Sequence, residues 1–289
     1  MAILLLVALV TLGLLHIQPR LVHWRGDGGF RWWVAQIDDT SGPGRVALAL
    51  AVPVALCLLV MWLFRLSPLN DVLQTAFALL LLVFCFGPHA FEDDLERVLR
   101  APDAAQAEAA VQGLSDDGEA VIWRADAVGA AVAFAALRRR FGVLLWFFLL
   151  GPAGALLYRL ARTLGHDDSL DLDPSARMAA RHVANVLDWL PAQLLVFSLA
   201  LVGHWEAVIG AWRRWHQLAR PDDWYRQGPG FLADAARADI LTDIEGGDGY
   251  VVEHDDVLLE LRRLRSALLR ALLVWLSVVA LIVIAGWLR

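Results

Sequence analysis

Apolar residues in this chain fall into long runs rather than alternating with polar ones, and six of the runs approach the length of a membrane-crossing helix. Such a helix needs roughly 20 apolar residues at about 1.5 Å each, with its backbone polar groups satisfied internally. Residues 46–64 (VALALAVPVALCLLVMWLF) are uncharged between Arg45 and Arg65, and residues 72–91 are uncharged between Asp71 and Glu92. The short stretch RLSPLND joins them. Residues 271–288 (ALLVWLSVVALIVIAGWL) form a third strong run, with Trp275 and Trp287 at positions suited to an interface or to helix packing. Weaker runs cover 2–19, 141–158 and 189–205, each near the lower length limit. The first lacks a basic n-region and an A-x-A-like cleavage site, so it reads as part of the mature protein rather than a signal peptide. In 141–158, Gly151, Pro152 and Gly154 predict either a kink packed against neighbours or the tip of a re-entrant segment.

The segments between the runs have helical periodicity of their own. Leu95, Val98 and Leu99 make an apolar stripe that Ala109, Val111 and Leu114 extend, with breaks at Ala101-Pro102 and at Asp116-Asp117-Gly118. Pro174 and Ser175 mark the start of another helix. The expected fold is all-α: a polytopic helical membrane protein with amphipathic and soluble helices in its loops, one membrane domain over 1–289. If all six runs cross, loops 20–45, 89–140 and 206–270 share a side and hold 4, 6 and 9 Arg, against 6 Arg opposite. The positive-inside rule places those three loops in the cytoplasm.

Composition agrees. Of 289 residues, 58% are hydrophobic and 19% charged, with mean hydropathy +0.54, whereas soluble chains are about 45–50% apolar and about 25% charged. That excludes a disordered tail, a disulfide scaffold and a nucleic-acid-binding module. All 25 basic residues are Arg, so Schiff-base chemistry and a P-loop lysine are unavailable. Cys57 and Cys85 sit in apolar runs as small hydrophobes. A net charge of −6 implies no nucleic acid or other polyanion as partner.

Chemistry-bearing clusters are few. The acidic groups Glu92/Asp93/Asp94/Glu96, Asp167/Asp168/Asp171/Asp173 and Glu253/Asp255/Asp256, the last two flanked by His166 and His254, offer oxygen ligands to a hard cation. None shows dedicated metal spacing, and solvated loop charge is the plainer reading. Gly246-Gly247-Asp248-Gly249 lacks the strand and helix of a dinucleotide loop and reads as a turn. The arginine groups 138–140, 159/162, 213/214 and 262/263/265 flank the runs, where they anchor topology and attract anionic lipid; a phosphate or carboxylate pocket is the functional alternative. Trp205, Trp212, Trp215 and Trp224 with Arg213, Arg214, His216 and Arg226 suit the headgroup level, with ligand stacking as the minority reading.

Two segments carry a resemblance to a known family. RRRFGVLLWFFLLGPAGALLYR (138–159) resembles the R-x-F-x-x-x-F-W-x-L-L-G-P-x-G-A-L-x-Y-R stretch of AmpE, an inner-membrane protein encoded beside the muropeptide amidase AmpD and tied to β-lactamase induction. LDWLPAQLLVFSLALVG (187–203) resembles its L-D-W-L-P-A-R-L segment, with Gln193 where Arg is usual. AmpE is distantly similar to the CobD/CbiB membrane proteins, which join an aminopropanol moiety to cobyric acid. Where those transferases have E-N-T-S-D-G, this chain has Phe134, Ala135, Ala136, Leu137, Arg138 and Arg139. Their Y-R-x-x-N-T-L-D becomes Tyr158 to Gly165, losing Asn and Asp, and their Asp pair becomes Ala184 and Asn185.

The resemblance implies a multi-pass inner-membrane accessory or signalling protein in peptidoglycan recycling and β-lactamase regulation, with no catalytic residue, metal or cofactor assigned. Membrane lipids, an AmpD-like amidase and a muropeptide or other anionic ligand are the implied partners. The ligand-binding candidates are Tyr158, Arg159, Arg162, His182 and Asp188, with Arg159 expected either to hold an anionic ligand or to pair with Asp188. A CobD-like amide-forming transferase and a transporter of a cell-wall fragment are the alternatives.

Overall fold

The chain folds into helices because its apolar runs have no water to satisfy their backbone, and helix is the one local structure that bonds every N–H and C=O within the segment. The computed structural model describes residues 2–17, 27–37, 41–86, 91–115, 120–248 and 256–286; among these there is no strand. In order come α1 (Ala2–Ile17), α2 (Gly28–Gln36), α3 (Pro43–Arg65), α4 (Asn70–Cys85), α5 (Phe91–Leu99), α6 (Ala104–Val111), α7 (Ala125–Ala136), a π-helical turn (Leu137–Phe141) and α8 (Gly142–His166). They are followed by α9 (Pro174–Val202), α10 (Trp205–Leu218), α11 (Asp223–Arg226), α12 (Phe231–Asp248) and α13 (Val257–Ile284). This is a helical membrane protein. Four stretches among the described residues are long and apolar enough to cross a bilayer: Pro43–Arg65, Ala125–His166, Pro174–Val202 and Val257–Ile284.

The ranking of the apolar runs changes. The run 72–91 becomes a helix of 16 residues, about 24 Å long, short of the roughly 30 Å hydrocarbon core, because Cys85 is its last helical residue. The runs 141–158 and 189–205, weaker by hydropathy alone, are embedded in the longest helical stretches. Gly246, Gly247 and Asp248 are the last residues of α12 rather than a turn. Trp287, the turn at 116–118, Gly249, Glu253, His254 and Asp255 lie outside the described residues.

The helix ends follow local chemistry. Pro43 occupies the first turn of α3, where its missing N–H costs nothing, and Arg65 closes the last turn against the carbonyl end of the dipole. Asp103 caps α6 by accepting from the Gln106 N–H at 2.8 Å. Asp173 caps α9: its carboxylate accepts from Ser175 Oγ, from the Ala176 N–H at 3.1 Å and from the Gly42 N–H at 3.2 Å. Those bonds, the Ser175 hydroxyl first, hold its carboxyl down at about 2.

Residues group into two compact units. The first (Met1–Ala90, Gly142–Leu187, Ala280–Arg289) is built around α8, against which α1, α3 and α4 pack. Val143, Leu144, Phe147, Ala155 and Leu164 of α8 are buried in its core. The second (Phe91–Phe141, Asp188–Val279) places α12 between α7 and α10 and α5 against α6 and α7. Leu95, Val98, Val111 and Leu114 form the expected apolar stripe there, with Ala107 in the place expected for the exposed Ala109.

Helix α8 is a hairpin. Gly151 has φ 70 and ψ −159, a conformation open to glycine and strained for other residues, and Pro152 follows it. A Cβ built on Gly154 would stand 2.4 Å from the Trp146 carbonyl oxygen, and one on Gly142 would stand 2.3 Å from the Tyr158 ring and hydroxyl. On a straight helix those pairs would be about 12 Å and 24 Å apart along the axis. Both pairs are centred on residue 150, so 142–150 and 152–166 run back along each other, with glycine where the arms touch.

Candidate functional site

The second arm of the α8 hairpin carries three of the five candidates. Tyr158 is 1% exposed, its ring against Gly142 of the first arm. Arg159, Thr163 and Asp167 follow at four-residue spacing, one helical face, and α2 meets that face with residues of the opposite charge. Arg159 Nη2 donates to Asp27 Oδ2 at 2.8 Å, and Arg31 Nε lies 2.8 Å from Asp167 Oδ2. Arg162 is buried, its Nη1 3.2 Å from His166 Nε2. Oδ1 of Asp27, Nε of Arg159 and Oγ1 of Thr163 are buried without a hydrogen-bond partner among the described residues. This leaves a polar strip with donor and acceptor capacity to spare. His182 is half-buried on α9.

Asp188 is fully buried in the second unit, with Arg138 Nε at 3.7 Å. Within the first unit Arg159 pairs with Asp27: the short helix α2 supplies it with a carboxylate that hydropathy alone did not connect to it.

The arginine run 138–140 is engaged side chain by side chain. Arg138 meets Asp188, and its guanidinium lies 5.2 Å from the centre of the Phe134 ring. Arg139 Nη1 donates to Asp94 Oδ2 at 2.6 Å and its Nη2 to the Gly113 carbonyl at 2.9 Å. Arg140 pairs with Glu92. Asp94 is also paired with Arg97 from its own helix. The π-helical turn presents the three consecutive arginines to different acids, and the acidic cluster 92–96 serves as their counter-charge. At 167–173 the acids are likewise matched by arginine: Asp167 by Arg31, and Asp168 by Arg177 at 3.3 Å. Among the described residues no three His, Cys, Asp or Glu side chains gather as a metal-ligand set.

Gln193 and the tryptophans form an internal network. Gln193 Oε1 accepts from Trp212 Nε1 at 2.7 Å, while its Nε2 lies 3.3 Å from His216 Nε2. His216 Nδ1 is 2.8 Å from the Trp212 carbonyl. An Nδ1–H tautomer satisfies both contacts, donating to the carbonyl and accepting from the amide. Trp215 packs edge-on to Phe231, ring centres 5.3 Å apart. Trp212 and Trp215 thus hold α10 to its neighbours, whereas Trp205 and Trp224 remain exposed.

The residues that the sequence did not single out are Asp27 and Arg31. Their signal was the i, i+4 opposite-charge spacing at the start of a short amphipathic helix, in a segment too brief to stand out beside the apolar runs.

Comparison with known proteins finds similarity over part of the chain. It is 33% identical over 114 residues to the cobalamin biosynthesis protein CobD of Chromobacterium violaceum, covering 38% of this chain and 34% of that protein. It is 33% identical over 78 residues to CobD of Stutzerimonas stutzeri, covering 25% of each. The matches thus span about a third and about a quarter of the length of these two curated relatives. No family model matches, and no solved structure matches.

Proposed function

We propose that this chain is an AmpE-like protein of the bacterial inner membrane, acting as an accessory or signalling component in peptidoglycan recycling and β-lactamase regulation, without CobD-type catalysis. One observation carries the second half of that reading: Arg138 and Arg139, at positions where the resemblance to the transferases would put an acidic motif, are tied into ion pairs with Asp188 and Asp94. Joining an amine to a carboxyl through a phosphorylated intermediate needs groups that position phosphate and metal. Acids brought to this segment serve instead to neutralise arginine. The strip Asp27, Arg159 and Thr163, with unused donors and acceptors, is the favoured place for a polar anionic ligand such as a muropeptide. An AmpD-like amidase is the proposed protein partner.

Deleting the gene in a host with an inducible chromosomal β-lactamase, and comparing induction by a β-lactam with and without the restored gene, tests this function. Altered induction that the gene corrects is the expected result; identical induction would reject it. The similarity to the two CobD proteins favours a second reading, an amide-forming transferase that draws on acids elsewhere in the chain.

A further inference from the structure

The hairpin fixes more than the shape of one helix. Six crossings would put residues 160–188 on the side of the membrane opposite to residues 20–45. Yet Arg31 reaches Asp167 at 2.8 Å, Asp27 reaches Arg159 at 2.8 Å, and the Gly42 N–H reaches Asp173 at 3.2 Å, all within the first unit. A bilayer cannot separate groups in hydrogen-bond contact. The stretch 167–173 therefore lies on the same side as 27–42, as the reversal at Gly151 requires of a segment that enters and returns.

The geometry points to a topology in which the α8 hairpin dips into the bilayer from the side that holds residues 27–42 and returns to that side without crossing, its exposed apolar tip meeting lipid.

Burial agrees. The apolar window of Pro43–Arg65 is 22% buried, as a helix surrounded by lipid should be, against 72% for Ala125–His166, the stretch that contains the hairpin. The hairpin tip presents Leu149 and Leu150, more than half exposed. These are side chains for the acyl layer.

Single cysteines test the arrangement in the full-length protein with Cys57 and Cys85 replaced by alanine. Ser67→Cys marks the α3–α4 turn, Ser41→Cys the segment before α3, and Ser169→Cys the loop after the hairpin. Each is exposed to a membrane-impermeant charged maleimide in right-side-out spheroplasts and in inverted vesicles. Ser169→Cys should label in the same preparation as Ser41→Cys and not in that of Ser67→Cys, whatever the protein's function proves to be. Labelling of Ser169→Cys together with Ser67→Cys would overturn the proposal. Asp171→Cys, at a second exposed position in the loop, repeats the comparison should Ser169→Cys not accumulate in the membrane.

Discussion

Replacing Gly142 by alanine strikes the hairpin where its arms touch. The new methyl would stand 2.3 Å from both Cζ and Oη of Tyr158 and 2.7 Å from its Cε1. Carbon atoms in contact prefer about 3.5–4.0 Å, so the ring or the arm must retreat by more than about 1 Å. Tyr158 has no open side to move toward, being 1% exposed. Overpacking of that kind costs about 1–3 kcal/mol. Gly13→Ala in α1 is the control, because a Cβ there meets nothing within 4 Å and alanine is the better helix former. Unfolding by SDS in mixed micelles, followed by tryptophan fluorescence, should find Gly142→Ala destabilised and Gly13→Ala unchanged or stabilised. Tyr158→Ala combined with Gly142→Ala should recover part of the loss, a coupling of about 0.5–3 kcal/mol expected of residues in contact. Equal behaviour of the two glycine variants would refute the hairpin contact.

Asp188→Ala removes the fully buried carboxylate beside Arg138, and breaking such a pair costs about 3–5 kcal/mol; the same unfolding assay should place it well below Gly142→Ala in stability. Gln193→Leu deprives Trp212 Nε1 of its acceptor and should cost about 1–3 kcal/mol, while Gln193→Glu, which still accepts, should cost less. For Asp173, folded near 2 against about 3.9 when unfolded, the stabilisation is present above pH 4 and lost as pH falls toward 2. Unfolding measured between pH 5 and 2 should show a shallower acid loss in Asp173→Asn than in the wild type.

Hydropathy made the membrane helices legible, and the D-P-S sequence at 173–175 announced the start of α9. What stayed hidden followed from a single backbone torsion. Pro152 and the glycines around it allowed a kink or a reversal, and only the contacts of Gly142 and Gly154 separate the two. With straight arms, Asp167 and Asp173 would belong to the opposite side from Arg31 and Gly42, which they meet. The partners of Arg159 and Asp188 were unreadable for the same reason: ion pairing is settled by tertiary approach, and α2 is too short to be noticed beside the long apolar runs. The arginine run 138–140 was visible as charge, but its distribution over Asp188, Asp94 and Glu92 depends on the π-helical turn.

On the function proposed here, this chain, similar to two CobD proteins over part of its length, carries out no CobD-type amide formation. Expressing the chain in a cobalamin auxotroph that lacks the aminopropanol-joining step, with membrane insertion verified by immunoblot, puts that claim to the most direct test. No growth without added cobalamin is predicted, alongside full rescue by an authentic CobD. Growth restored by this chain would contradict the claim and return the second reading to first place.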